Sequence, residues 1–376
     1  MSSRSIQIRL RQDAPIPLDL DFSCAPGEIV VVVGPSGSGK TTLLRSICGI
    51  YRPAAGNISS NGTTWFDSTQ RINLPAQQRR VGMVFQHYAL FPHKTAIQNI
   101  LMAQGHLAKA QRLEKAQDLL ELVHMHGLGD RYPHQLSGGQ QQRIALARAL
   151  AREPEVLLLD EPFSAVDQQT RRKLVRELVQ LRNRLDLPII HVTHNLNEAR
   201  RIADRICIIH HGKTLQIDTP HNIMTRPCNA EVAYQTGHSN IFTGTVSRHD
   251  AAQGKTFLRW GGHEFECSHQ PDYAPGMEVD WLIPAENLIL HRRDRPSKGE
   301  RENPVTGRIS EIIPLGESTT VALEFDQRHT MYMGVPTHVA RRNGLAQGET
   351  VTVSLLSEGI HLMGKRPGRN DNLLPG

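Results

Sequence analysis

The stretch EIVVVVGPSGSGKTT, residues 28–42, decides the fold of this chain. Its first part is apolar throughout, which is typical of a strand covered on both faces of a sheet. The rest fits the pattern G-x-x-x-x-G-K-[ST] and leads into a helix predicted from about Lys40 to Cys48. A strand, a glycine-rich loop and a helix in this order predict a phosphate-binding loop in an α/β fold.

The loop predicts a site for a nucleotide and a magnesium ion. Its glycines let backbone N–H groups approach phosphates, and Lys40 is expected to reach the β- and γ-phosphates. The Thr41 hydroxyl is expected to ligate Mg²⁺. A flexible glycine/serine loop is the alternative. The residues expected to hold the phosphates are Gly34, Pro35, Ser36, Gly37, Ser38, Gly39, Lys40, Thr41 and Thr42.

Three further predicted strands end in polar residues, where ligands of open α/β sheets gather. VLLLDEP (156–162) contains Asp160, which is expected to hold Mg²⁺, and Glu161, which is expected to orient or deprotonate an attacking water. A simple exit from strand to turn is the alternative for this pair. Gln86 and His194 end the other two strands, so their side chains are expected at the same rim.

The stretch HQLSGGQQQR, residues 134–143, predicts a second anion site. Ser137, Gly138, Gly139 and Gln140 stand at the start of a helix-forming run, and a helix N-terminus presents unpaired N–H groups and positive dipole charge. No second lysine or Mg²⁺ ligand accompanies them in the sequence. The segment is therefore predicted to cover a nucleotide site rather than to form one.

The length of 376 residues suggests two or three domains. Residues 1–235 alternate strands and helices around a mostly helical insert at about 87–152. Residues 236–365 change to short strands, and 366–376 form a tail predicted to be disordered. The residues that keep helical spacing in the insert are Leu113, Ala116, Leu119, Leu120 and Val123.

An internal repeat divides residues 236–365. FTGTVS (242–247) returns as VTGRIS (305–310), and residues from Gly276 onward match residues from Gly348 onward. Two small β-barrels in tandem fit this pattern better than one continuous sheet.

Composition and charge limit the classes of protein to which this chain can belong. The hydrophobic content of 39% is ordinary, and no apolar run approaches the roughly 20 residues that span a bilayer. No signal peptide opens the chain, so it is expected in the cytosol. Five scattered cysteines without a CxxC pair indicate reduced thiols. The net charge of +6 could suit nucleic acid, but the arginines are spread out and no nucleic-acid partner is expected.

Together these motifs resemble the ATP-binding subunit of an ABC transporter over residues 1–235. The resemblance implies a P-loop ATPase domain that binds ATP and Mg²⁺. It also implies a head-to-tail homodimer, in which each LSGGQ closes over the ATP held by the other chain. The segments that carry it, in chain order, are Gly34–Thr42, Gln86, LSGGQ (136–140), VLLLDEP (156–162), SAVD (164–167) and His194.

The resemblance also implies roles for individual side chains. Glu161 would be the catalytic carboxylate, and His194 would be the γ-phosphate switch. Gln86 would sense Mg²⁺ and the lytic water, and Asp167 would link the two sites across the dimer. Residues 86–100 and the helical insert would dock a membrane permease.

One departure from the family concerns the nucleotide base. The family usually places an aromatic residue near the start of the chain to stack on adenine, and RLRQDAPIPL (9–18) has none. Two alternatives follow: the affinity for the base is weak, or Arg9 or Arg11 stacks on the base instead.

The repeat at 236–365 resembles the TOBE domains of importer ATPases, which are OB-like β-barrels. HSNIFTGTV (238–246) and ENPVTGRI (302–309) are similar to molybdate-binding Mop-type modules, which favours molybdate or tungstate as the imported ion. Sulfate/thiosulfate and iron(III) importers are the alternatives, followed by a soluble ABC ATPase that acts on nucleic acid or ribosomes. The implied partners are permease subunits of the inner membrane, at whose cytoplasmic face the chain would lie, and indirectly an external binding protein.

Overall fold

The computed structural model describes residues 5–164, 166–291, 302–325 and 329–365. The chain divides into two compact units, Met1–Ile223 and Met224–Gly376. The tail at 366–376, which the sequence predicts to be disordered, lies outside the described residues, as does Ala165 in the SAVD segment.

The first unit is built on a mixed sheet. Its strands are β1 (Ile6–Gln12), β2 (Leu18–Cys24), β3 (Ile29–Val33), β4 (Ala55–Ser60), β5 (Thr63–Asp67), β6 (Ile72–Asn73), β7 (Val81–Val84), β8 (Val156–Asp160), β9 (Ile189–Thr193), β10 (Arg205–His210) and β11 (Lys213–Asp218). Its helices are α1 (Lys40–Cys48), α2 (Ala96–Leu101), α3 (Lys109–Leu122), α4 (Gly138–Leu150), α5 (Gln168–Arg182) and α6 (Leu196–Ile202), and α7 (Pro220–Thr225) follows. The strand order is β6-β5-β4-β1-β2-β11-β10-β3-β9-β8-β7.

The strands that position the site run parallel. β3 pairs with β9 and β10, and β8 pairs with β9 and β7. β3 and β9 are buried along their whole length, which explains why their sequences are almost continuously apolar. Because parallel strands point the same way, the residues after β3, β7, β8 and β9 meet at one edge of the sheet.

The start of the chain, where the sequence indicates no signal peptide, forms a strand that was not predicted. Residues 6–12 form β1, whose alternating side chains are buried and exposed, and which pairs antiparallel with β2 and β4. The next strand, β2, begins at Leu18, and Ile16 two residues earlier is exposed. Pro17 lacks the N–H that a strand residue would donate, which favours a start at Leu18.

The predicted helical insert is present between β7 and β8 as α2, α3 and α4. These helices share their own apolar cluster, which includes Ile100, Ala116, Leu120 and Ile144. Leu113, one of the residues with helical spacing, lies in α3 as predicted but is 54% exposed. It lies in the first turns of α3, whereas the buried positions Ala116 and Leu120 lie farther along the helix.

The second unit contains α8 (Ala230–Gln235), α9 (Thr337–Arg342) and antiparallel strands. The strands are β12 (Ile241–Asp250), β13 (Lys255–Trp260), β14 (His263–Ser268), β15 (Glu278–Leu282), β16 (Leu288–Leu290), β17 (Pro304–Leu315), β18 (Ser318–Phe325), β19 (His329–Pro336), β20 (Thr350–Leu355) and β21 (His361–Gly364). They form two sheets, β14-β13-β12-β15-β21 and β16-β20-β17-β18-β19.

The two copies of the repeat exchange their last strands. β21 of the second copy pairs with β15 of the first, and β16 of the first copy pairs with β20 of the second. One apolar cluster serves both copies, with Trp281 and Val353 among its fully buried members. The expectation of two successive barrels missed this exchange, because each copy carries a last strand that can complete either sheet.

Candidate active site

The phosphate-binding loop has a backbone that requires glycine. A Cβ at Gly34 would lie 2.3 Å from the carbonyl oxygen of Ile209, which is too close for any side chain. Gly39 caps α1 with φ of 95°, a left-handed conformation that costs little for glycine alone. The loop therefore turns tightly into α1 and leaves its backbone N–H groups open to an anion.

Lys40 lies within this loop and is only 7% exposed. Its Nζ donates hydrogen bonds to the carbonyl oxygens of Gly34 at 2.7 Å and Pro35 at 2.8 Å. Burial lowers the pKa of Lys40, while the nearby carboxylates of Glu161 and Asp160 act in the opposite direction. The ammonium group is thus held where the loop and the carboxylates meet.

Ser38 gives a direct test of whether the loop fits a phosphate. Its Oγ is buried and has no hydrogen-bond partner among the described residues. Buried polar atoms are normally paired, so this hydroxyl fits a site whose partner is a ligand oxygen.

Asp160 and Glu161 stand at the end of β8 and differ in environment. Burial, and then the charge of Glu161, raise the pKa of Asp160, and the charges of Arg45 and Lys40 oppose that shift. Glu161 has φ of 43°, and its N–H donates to the carbonyl oxygen of Val192 at 3.0 Å. This left-handed residue is strained for a non-glycine, and such strain is concentrated at functional sites.

His194 lies against Glu161 although 33 positions separate them in the sequence. Its Nδ1 is 3.0 Å from Glu161 Oε1, with the His194 side chain 62% exposed and the Glu161 side chain 18% exposed. The sequence-predicted Lys40, Asp160, Glu161 and His194 are therefore brought to one edge of the sheet.

Gln86 lies two residues beyond β7 and is exposed. Since β7 pairs in parallel with β8, this position is at the same sheet edge as Asp160. Arg148 of α4 holds the turn that follows, because its guanidinium donates to the carbonyl oxygens of Tyr88 at 2.8 Å and Ala89 at 2.7 Å. Sequence reasoning missed Arg148, whose partners lie some sixty residues away.

The LSGGQ segment begins α4, and its own side chains cap the N-terminus of that helix. Ser137 Oγ accepts from the N–H of Gln140 at 3.3 Å, and Gln140 Oε1 accepts from the N–H of Ser137 at 2.9 Å. A Cβ at Gly139 would lie 2.9 Å from Thr170 of α5, so the segment needs glycine for this packing. Among the described residues, no hydrogen bond joins Ser137–Gln140 to the loop Gly34–Thr42.

Asp167 caps α5. Its Oδ1 accepts from the N–H groups of Gln169 and Thr170, each at 3.0 Å. A hydrogen bond from the Thr170 side chain is the main reason that the pKa of Asp167 is lowered. Asp167 therefore caps a helix of its own chain. This contact is separate from the link across a dimer that the resemblance implies.

Two buried polar residues near the site had no signal in the sequence. His191 on β9 is fully buried and bonds to Glu198 of α6, 2.5 Å from Nε2 to Oε1. Arg79 is also buried, and its guanidinium donates to the carbonyl oxygens of Ser46 at 2.7 Å and Ile47 at 2.8 Å near the end of α1. Glu198 lies seven residues after His191, but no motif marks the pair, and the acceptors of Arg79 at the end of α1 lie more than thirty residues away.

The residues present fit Mg²⁺ held partly by phosphates. Among the described residues, no group of three or more His, Cys, Asp or Glu side chains could hold a metal by itself. Mg²⁺ usually takes one or two protein oxygens together with substrate phosphates. Thr41, exposed at the start of α1, and the half-buried Asp160 could supply such oxygens.

The arginines considered for adenine stacking are engaged in ion pairs across β1 and β2. Arg9 Nε lies 2.8 Å from Asp21 Oδ2, and Arg11 Nε lies 3.6 Å from Asp19 Oδ1, with all four side chains well exposed. These pairs are on the surface and weak, so they leave the stacking hypothesis open to test.

The sequence matches two family models, one described as ABC transporter over residues 18–164 and one described as TOBE domain over residues 282–363. The sulfate/thiosulfate import ATP-binding protein CysA of Salmonella typhi is 38% identical over 312 residues, 81% of this chain and 80% of that protein. The protein of the same name from Caulobacter vibrioides is 45% identical over 234 residues, 61% of this chain and 67% of that protein.

A solved structure extends the comparison to the fold. The structure of cbiO1 from Clostridium perfringens, part of an ABC transporter complex, has a TM-score of 0.53 at 23% identity. It covers 60% of this chain and 92% of that chain. Within the described part of this chain, no helix has both the length and the apolar character needed to span a bilayer.

Proposed function

The chain belongs to the ABC transporter family as the ATP-hydrolysing subunit of an importer, and on this premise we propose that it energises the uptake of sulfate or thiosulfate. The observation that carries the catalytic part is the contact of Glu161 Oε1 with His194 Nδ1 at 3.0 Å, beside the buried Lys40. The names of the relatives support the substrate.

In the proposed reaction, water attacks the γ-phosphorus of ATP, the bond to the bridging oxygen breaks, and ADP and phosphate leave. Glu161 accepts the proton of the attacking water as general base. His194 orients that carboxylate through Nδ1. The Lys40 ammonium stabilises the negative charge that develops on the phosphate oxygens. Mg²⁺, when bound, supplies further charge neutralisation, and Thr41, Asp160 and Gln86 are the residues proposed to hold it.

The proposed catalytic unit is a homodimer. Ser137–Gln140 present a helix N-terminus at the surface of their own chain, apart from the loop Gly34–Thr42. A second copy placed head to tail would bring this terminus onto bound ATP, and Asp167 would stand near the contact between the chains. The opening and closing of the pair would then drive a membrane partner.

The proposed partner is a membrane permease, which would hold the chain at the cytoplasmic face of the inner membrane. Exposed apolar side chains follow β7 and continue into the helical insert, including Phe85, Phe91 and Met102. Arg148 fixes the turn between the first two of them. Exposed apolar side chains that lie near one another in the sequence support a protein interaction site in this segment. An external binding protein would act on the permease and not on this chain.

The proposed substrate replaces the molybdate or tungstate that the sequence favoured. The relatives described above are sulfate/thiosulfate import proteins, which was the stated alternative. Molybdate remains an outcome that the experiment must distinguish.

The test is element-resolved uptake in cells that express this chain with its permease and binding protein. Glu161→Gln should abolish accumulation of ³⁵S from sulfate or thiosulfate, because it removes the base while preserving the shape of the side chain. Glu278→Gln, which alters an exposed carboxylate paired with Lys365 in the second unit, is the matched control and should leave uptake unchanged. Loss of molybdenum uptake with normal sulfur uptake would make the substrate assignment wrong. Unchanged uptake of every element would overturn the importer role.

A further inference from the structure

We propose that the buried pair His191–Glu198 is a positioning device that holds Glu161 and His194 in their hydrolytic arrangement. This inference rests on the proposed catalytic roles of those two residues. It concerns side chains that do not contact the nucleotide and act through the backbone and one aromatic ring.

The first observation is the placement of His191 on β9, a strand that is buried along its whole length. Its neighbours on β9, Ile190 and Val192, belong to the apolar cluster that also contains residues of α1. Because side chains alternate along a strand, His191 points to the opposite face of the sheet. There its Nε2 meets Glu198 Oε1 at 2.5 Å, in a side chain that is itself buried.

Stability does not explain this pair. Burying a hydrogen-bonded ionisable pair often gives no gain over apolar side chains of similar volume. In addition, His191 Nδ1 is buried without a hydrogen-bond partner among the described residues, which is unfavourable. A valine or isoleucine, as at the neighbouring positions, would pack here without that cost. The pair therefore points to a task other than stabilising the fold.

The pair His191–Glu198 joins the two elements that flank His194. β9 ends at Thr193 and α6 begins at Leu196, so the pair ties together the two elements on either side of His194 and Asn195. Two further hydrogen bonds fix the same turn. Thr193 Oγ1 accepts from the N–H of Asn195 at 3.1 Å, and Asn195 Oδ1 accepts from the N–H of Glu198 at 3.2 Å.

His191 also contacts the segment that carries Glu161. The rings of His191 and Phe163 lie 5.6 Å apart, and Phe163 follows Glu161 by two residues. The N–H of Glu161 is bonded to the carbonyl oxygen of Val192, the residue after His191. One buried side chain thus contacts both segments whose ends must meet at 3.0 Å. A displacement of about 1 Å at a catalytic group can cost about 100-fold in rate.

The experiment compares four variants of the full chain by ATPase kinetics and thermal unfolding. His191→Phe and Glu198→Met each leave one buried polar partner alone and should lower both Tm and kcat. The double variant His191→Phe/Glu198→Met replaces the pair with apolar side chains and should recover Tm. If the pair positions the catalytic groups, kcat of the double variant stays at least about tenfold low while KM for ATP changes by less than about twofold.

His191→Gln supplies the conservative rescue. Its side-chain N–H₂ can donate to Glu198, so kcat should return to within about threefold of the original value. Recovery of both Tm and kcat in the double variant, or failure of His191→Gln to rescue kcat when its Tm is normal, would overturn the proposal.

A matched control separates lost stability from lost positioning. Asp67 on β5 accepts hydrogen bonds from Thr69 and Gln70, and β5 lies far from β9 in the strand order. Asp67→Asn should lower Tm without changing kcat, and a fall in kcat there would count against the positioning role. Glu161→Gln, measured in parallel, tests the catalytic assignment itself: unchanged turnover in that variant would refute the proposed function, whatever the His191 variants show.

Discussion

Among single residues, burial decides which side chains are chemically available. Burial raises the pKa of Cys24, Cys48, Cys207 and Cys267 to about 12, whereas Cys228 is exposed. At pH 8 we expect a thiol reagent such as DTNB to modify one cysteine per native chain and five per chain in urea. More than one rapid modification in the native protein would contradict this burial pattern.

The same shifts predict how stability depends on pH. An unfolded thiol ionises near pH 9, and the folded one only near 12, so the folded state binds the proton more tightly. The contribution of these protonated thiols to the free energy of unfolding is therefore fully present below pH 9. It is lost as the pH rises from 9 toward 12. Replacement of a buried cysteine by alanine should make Tm fall less steeply as the pH rises from 9 toward 12.

Residues in sequence motifs were predictable, and buried polar residues outside those motifs were not. The stretch at 34–42 determines its own backbone, so the loop, the helix and the buried Lys40 followed from local pattern. Glu161 and His194 were placed at one rim because parallel strands share an edge. His191 and Glu198 could not be found this way, because neither stands in a pattern that indicates its partner.

At the scale of elements, α1 is held at both ends. The loop fixes its start, and Arg79 bonds to carbonyl oxygens near its end, as well as to those of Leu74 and Trp65. Arg79→Leu would leave these buried acceptors without their donor. We expect the free energy of unfolding of the first unit to fall by about 3 kcal/mol, measured by calorimetry.

Arg80 provides the control for this prediction, because it is the adjacent residue but its side chain is 55% exposed, and the hydrogen bond that it donates to the carbonyl oxygen of Glu153 at 2.8 Å lies on the surface. Arg80→Leu should change the free energy of unfolding by less than about 0.5 kcal/mol. Equal effects of the two substitutions would show that Arg79 does not support α1.

Element types followed from periodicity more reliably than element positions did. The buried strands and the helices of the insert were predicted, but β1 was not, although Ile6, Ile8 and Leu10 alternate with polar residues. The start of the chain was assessed only for a signal peptide, so the alternation that forms β1 was not recognised. The spacing placed Leu113 on a helix correctly, but it could not indicate which part of that helix the neighbouring helices cover.

For the whole molecule, the order of a P-loop ATPase domain followed by TOBE-type β structure was predictable from motifs and the repeat, and the family matches confirm it. The pairing of strands between the two copies was not predictable. The copies share one hydrophobic pattern, so the sequence does not specify which last strand completes which sheet. Long-range pairing between the copies decides it.

Strand exchange predicts that shortening the end of the chain disrupts its first repeat. β21 pairs with β15, where Leu362 lies opposite the fully buried Trp281. A chain ending at Ile360 lacks β21, so Trp281 and Trp260 should become exposed and their fluorescence should shift to the red. A chain ending at Lys365 retains β21 and should emit like the full chain. Unshifted emission from the shorter chain would mean that the first copy folds without the second, and that each copy is an independent barrel after all.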